Sequence, residues 1–262
     1  MPPQDEVLLM VLVVALYLYD SMLLLYCNEG ILVPGRTGWT VRFGFHEPKI
    51  RGKELFIALP WLLHRPMFRL SWCFEGNPVK TAPEDWKVKS EVPLLMIALV
   101  WSMAVALFVM LPLGFFTRLG HGMLLAAVAL LYLSIVTLLA YMGFHRNDLQ
   151  VTGKQVGRYA FEFLTCPPFA LNAIRTVSLG QPIVEDLVAT ARRLQHPDSW
   201  AATREQLTLR LDEEIEMEDD GSERMARLRA HRQRLAEDPP LLRSKCALVP
   251  GPRPPEEREI ES

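Results

Sequence analysis

The sequence predicts an integral membrane α-helical protein with three transmembrane helices, a cytoplasmic α+β module and a disordered C-terminal tail. Three observations predict it. Three apolar runs of about 20 residues each match the roughly 30 Å hydrocarbon layer of a bilayer. Basic residues are distributed unevenly between those runs: residues 1–6 hold none, 28–92 hold ten, 117–122 hold one and 144–262 hold seventeen. From Pro239 on, six prolines and alternating charges leave too little apolar surface to fold. The division is 1–27, first transmembrane helix; 28–92, cytoplasmic β-rich loop; 93–144, transmembrane helical hairpin; 145–200, cytoplasmic helical region; 201–238, charged helical appendage; 239–262, disordered tail.

Orientation follows from the basic residues, because loops rich in Lys and Arg stay in the cytoplasm. The N-terminus and the 117–122 turn are expected outside, with the long loop and the C-terminal part inside. Loop style and compactness make a bacterial inner membrane the expected setting.

The first run, residues 7–27, reads VLLMVLVVALYLYDSMLLLYC and contains one acid, Asp20. No basic residue precedes it, and bulky Leu23, Leu24, Leu25 and Tyr26 offer no cleavage site, so the run reads as a retained helix. Asp20 lies seven residues from its cytoplasmic end, roughly 10 Å at 1.5 Å per residue. The same depth on the other two runs falls near Ser102 and Thr137. Asp20, Ser21, Ser102 and Thr137 are therefore expected to form an intramembrane polar cluster. Polar groups at one depth hold helices together; an ion relay is the alternative use of an ionisable group there.

Residues 28–92 contain short aromatic and β-branched runs bounded by Gly and Pro, at 38–45 and 53–58, which predict a small antiparallel β unit. The stretch 59–74 is apolar and punctuated by Pro60 and Pro66. It admits two readings. Trp61 and Trp72 beside His64, Arg65 and Arg69 suit contact with lipid headgroups. The same pattern also suits a core strand with a solvated Arg face.

The second run, 93–116, and the third, 123–144, carry no charge, and two glycines mark the turn between them. In 145–200, Val156, Tyr159, Ala160 and Phe163 share one helical face. Cys166, Pro167 and Pro168 break that helix. A further helix is expected to start at Pro182, with Ile183, Val184, Leu187, Val188, Ala191 and Leu194 on its apolar side and Glu185 opposite. Residues 212–220 hold seven acids, and 222–236 hold five arginines. This admits a charge-paired hairpin or two independently solvated helices. The second is favoured, because exposed pairs contribute little.

A net charge of −2 argues against a nucleic-acid binder. Cysteines 27, 73, 166 and 246 lack C-x-x-C spacing and are expected unpaired in the cytoplasm. The six histidines form no zinc motif, and no phosphate loop or nucleophile elbow occurs. No catalytic residue, metal or cofactor is expected. The expected partners are the lipid bilayer and other membrane or cytoplasmic proteins. The expected function is a membrane-anchored interaction or assembly protein. Two alternatives are a transporter or channel subunit using Asp20, and a lipid-headgroup-binding module or lipid-active enzyme at the inner membrane face.

Overall fold

The computed structural model describes residues 4–35, 38–58, 64–72, 86, 91–117, 120–181, 183, 185–217 and 222–237. Trp61, Cys73, Cys246 and the 239–262 tail lie outside them. The protein is mostly helical with a small sheet region and divides into two units, Met1–Gln195 and His196–Ser262.

The first unit opens with α1, Gln4–Asp20, 17 residues long. This corrects the helix expected over 7–27. Ser21 Oγ donates to the Tyr17 carbonyl at 2.8 Å, and the chain then leaves the helix as strand β1, Met22–Leu25. A short apolar run serves a buried strand as well as a membrane helix. Here Leu25 is fully buried in a sheet core with Phe56 and Met67. The β unit therefore starts at residue 22 rather than 28.

It comprises two antiparallel three-stranded sheets. In the first, β5 (Lys53–Ile57) lies between β1 and β4 (Phe45–Ile50). Met22 faces Ile57 and Leu25 faces Glu54. Arg51 and Gly52 join β4 to β5, both with positive φ, at 52° and 74°. That is the hand of two-residue turn that matches strand twist. In the second sheet, β2 (Glu29–Pro34) lies between β3 (Trp39–Arg42) and β6 (Phe68–Ser71). Ile31, Leu32 and Val33 are consecutive and all buried, as in a central strand covered on both faces. Met67, Phe68, Leu70 and Trp72 are buried while Arg69 is exposed, so the described part of 59–74 is a core strand.

Two helices are long and apolar enough to cross a bilayer: α2, Leu94–Phe116, and α3, Gly120–Phe144. Ala106–Met110 of α2 is π-helical, and the Leu111 N–H reaches the Ala106 carbonyl. Pro112 follows at once. It has no N–H and its ring crowds the carbonyl four residues back, so a widened turn before it relieves the ladder. Gly114 lets the hairpin close: a Cβ there would lie 2.7 Å from Leu124 Cδ2.

After a turn, Thr152 caps α4, Gly153–Thr165, in a capping box with Gln155. Then follow α5 (Pro167–Ala170), α6 (Ala173–Leu179) and α7 (Leu187–Leu194). The helix expected from Pro182 begins at Leu187 instead, because the Asp186 side chain caps it by accepting from Ala189 N at 2.8 Å. Glu185, expected on a polar face, is buried ahead of that helix. One core unites Met96, Val100, Met103 and Leu107 of α2, Ile135, Leu138 and Met142 of α3, Tyr17 of α1, and Tyr159, Phe163 and Ile174 of the later helices.

The second unit is a helical hairpin, α8 (Pro197–Met217) and α9 (Glu223–Glu237). Ser222 caps α9 by accepting from Met225 N at 3.0 Å. Arg232 meets Asp212 at 2.7 Å and Arg224 meets Glu214 at 3.6 Å. Leu207, Leu211, Met225 and Leu228 are buried. The independent-helix expectation is thus replaced by a paired hairpin, and the apolar seam is what makes the charges meet.

Candidate functional site

The most concentrated polar chemistry of the first unit sits where α1 ends. Asp20 is the last residue of α1, and Ser21 lies between it and β1. Asn172 and Arg175 approach from α6 and its start, only 3% and 5% exposed. Asn172 Nδ2 donates to Asp20 Oδ2 at 2.6 Å and to Ser21 Oγ at 3.4 Å. The Arg175 guanidinium donates to the Ser21 carbonyl at 3.4 Å, to Asp20 Oδ2 at 3.5 Å, and to the Asp20 carbonyl.

The physical logic is that of a helix end. The last carbonyls of a helix lack intrahelical donors and carry partial negative charge, so a cation there is favoured. Arg175 supplies several donors in one plane, which a lysine does not. Burial pushes its guanidinium below its ordinary value, and the Asp20 charge opposes that. The group stays charged, because guanidinium titrates far above neutral pH. Asp20 then neutralises it locally, as a buried charge requires.

Beside the joint stands Cys166. Burial pushes its thiol up, a bond from the Phe169 backbone works the other way, and the Asp20 charge raises it further. A raised thiol is a poor nucleophile. Among the described residues, no group of three His, Cys, Asp or Glu is placed to hold a metal ion.

A second buried acid anchors α7 to the sheets. Glu185, 4% exposed, accepts from Thr190 Oγ1 at 2.7 Å, from Arg193 at 2.9 Å and from Trp86 Nε1 at 3.3 Å. Trp86 in turn lies edge-on to Trp39 and Phe68.

The structure brings together only part of the expected cluster. Asp20 and Ser21 share Asn172. Ser102 instead bonds Ser134 across the α2–α3 hairpin at 2.7 Å. Thr137 turns its hydroxyl back to the Leu133 carbonyl at 2.8 Å. Asp20 is at a helix end, so depth counted along a 21-residue helix (residues 7–27) did not apply.

Of the residues expected at headgroups, Arg65 bonds the Pro34 carbonyl at 3.1 Å, and Arg69 pairs with Glu29. Trp72 is buried against Phe43. His64 faces Trp101, with ring centroids 6.4 Å apart. Burial, with the Arg65 charge beside it, holds its imidazole below the ordinary value. These described residues have separate partners and do not converge.

Sequence reasoning missed Asn172, Arg175, Ser134 and Glu185. One signal was present: Arg175 is the single basic residue between Arg158 and Arg192, inside an otherwise apolar stretch. Compared with family models, curated proteins and solved structures, the chain matches none.

Proposed function

We propose that this chain is a three-span membrane protein that couples its membrane helices to a cytoplasmic module and serves as a membrane-anchored interaction or assembly protein. The observation that carries this is the apolar surface left bare around the shared core. On α2 and α3, Leu94, Trp101, Val105, Val109, Leu125, Leu133 and Val136 are exposed, and on α1 so are Leu8, Val11, Leu12 and Tyr19. A water-facing protein does not present apolar surface in continuous bands of this kind. Lipid covers such bands without cost.

The third span is α1. Its 17 residues reach about 25 Å, within the range a bilayer accommodates by thinning. Tyr17 packs edge-on against Phe108 of α2, which ties α1 to the hairpin. With the N-terminus outside, the basic segments fall on the cytoplasmic side, and a bacterial inner membrane suits that arrangement.

The assembly role is supported by how the buried charges are used. Arg175 and Asp20 join α1 to α6, and Glu185 joins α7 to Trp86. Each holds elements to one another, and the Arg175–Asp20 joint gives the module a fixed attachment to α1. The transporter alternative would need Asp20 free to exchange a proton or ion, and the lipid-headgroup alternative would need His64, Arg65 and Arg69 gathered at one surface.

The test combines topology with association. Tags at the two termini should be reached by an impermeant reagent from outside only at the N-terminus. Photocrosslinkers on exposed module positions should trap a membrane or cytoplasmic protein in native membranes. A protected N-terminus would remove the third span, and recovery solely as an uncrosslinked monomer would remove the assembly role.

A further inference from the structure

We infer that α4 dips into the cytoplasmic leaflet beside α3, so that its outward face is a lipid-binding surface: headgroups at its start, acyl chains at its end. This rests on the membrane reading above and adds a contact that no apolar run announces.

The first observation is the stripe itself. Lys154, Arg158, Phe161, Leu164 and Thr165 are all exposed and fall on one side of the helix. The opposite side carries buried Tyr159 and Phe163 into the core shared with α2 and α3. The outward stripe is graded. Its first half is basic; its second half is Phe161, 71% exposed, and Leu164, 41% exposed. The polar groups in and beside that half are bonded: the Thr165 hydroxyl donates back to the Phe161 carbonyl at 2.6 Å, and Glu162, at the edge of the stripe, pairs with Arg158 at 3.4 Å. A hydroxyl so bonded asks nothing of the surroundings.

The second observation is placement. The chain leaves α3 at Phe144 and re-enters helix at Gly153. Val151 N–H bonds back to the Arg146 carbonyl at 2.8 Å, so the start of α4 stays at the end of α3. Its far end also stays near the spans, because α5 touches both α3 and α1. A 13-residue helix is about 20 Å long. α3 is correspondingly better covered there: between Ser134 and Met142 only Val136 and Ala140 are exposed, whereas Leu125, Ala126, Val128, Ala129, Tyr132 and Leu133 are exposed before it.

The third observation is charge. Arg146 lies beside Gly153 and Lys154 follows, which puts two cations at the helix entrance, with Arg158 one turn further on and paired with Glu162 at 3.4 Å. That matches the anionic headgroups of a cytoplasmic leaflet. Apolar residues beyond a basic collar are the order in which a helix entering a leaflet meets its layers. α4 packs along α3, whose exposed residues from Leu125 to Ala140 are themselves apolar, so the bilayer is the occupant favoured over a second protein.

The test uses the native chain. It is reconstituted in phosphatidylcholine–phosphatidylglycerol vesicles containing a phosphatidylcholine with a diazirine near the end of one acyl chain. After illumination and trypsin, adducts should appear on the 159–175 peptide, at Phe161 or Leu164, and on the 119–146 peptide of α3. Adducts on 119–146 with none on 159–175 would overturn the inference and leave the membrane reading standing. Adducts on neither would overturn both. Replacing phosphatidylglycerol by phosphatidylcholine should reduce the yield on 159–175 relative to 119–146; an unchanged ratio would remove the headgroup half of the inference.

Discussion

The two units use the same ion pairs in opposite surroundings. In the first, Arg175 and Asp20 meet with side chains 6% and 26% exposed, and Arg175 also satisfies two helix-end carbonyls. In the second, Arg232 and Asp212 form a two-pronged pair with side chains 46% and 39% exposed. The closer contact is the exposed one. Distance therefore does not rank them; solvent does. Removing one partner of a buried pair strands a charge, and here also the Asp20 carbonyl, while water replaces a lost surface partner at little cost.

The strongest way to break this comparison is Arg175→Met, which keeps the stem and deletes the charge. It should cost about 3–5 kcal/mol, because Asp20 loses its cation and the Asp20 carbonyl its donor, while Asn172 still serves the Asp20 carboxyl and the Ala58 N–H the Ser21 carbonyl. Thermal unfolding in detergent should fall by on the order of 10 °C. Combining it with Asp20→Asn should lose less than the sum of the two single changes. A strictly additive double variant would show that the pair does not couple α1 to α6.

Next comes Glu185→Gln. It keeps an acceptor for Thr190 or Trp86 but leaves Arg193 without its carboxylate. A loss of about 1–3 kcal/mol is expected. Hydrogen exchange should report it as faster opening of α7. Protection equal to wild type would mean that Arg193 finds solvent freely and that the buried acid adds nothing.

The smallest effect is reserved for Arg232→Ala. Slight loosening of the α8–α9 hairpin at low ionic strength should vanish in high salt, because exposed charges are screened. A loss comparable to that of Arg175→Met would erase the distinction between the two regions.

The sequence-legible parts share a feature: repeated apolar residues at a fixed period. The two long spans, the strands at Trp39–Arg42 and Lys53–Ile57, and the Tyr159–Phe163 face of α4 all follow from it. The candidate site was half legible. Asp20 stands out as an acid in an apolar run, but its partners Asn172 and Arg175 lie more than 150 residues away, and no local pattern links them. Ser102 bonds Ser134 rather than joining Thr137 and Asp20. Ser134 and Thr137 stand three residues apart on one broad helical face, but only Ser134 is buried, and a depth count does not separate neighbours one turn apart.

The sequence by itself determined where apolar surface must be hidden: in two uninterrupted spans, in short strands, and along one face of each amphipathic helix. Hydrophobic burial is local in its cause, since it depends on composition and period alone. What only the tertiary structure decided is where the first apolar run stops being a helix. Met22–Leu25 is as apolar as the residues before it, and it becomes a strand because β5 offers it a ladder and Arg175 closes the helix behind it. Pairing of that kind depends on which distant groups arrive, and residue period carries no record of that.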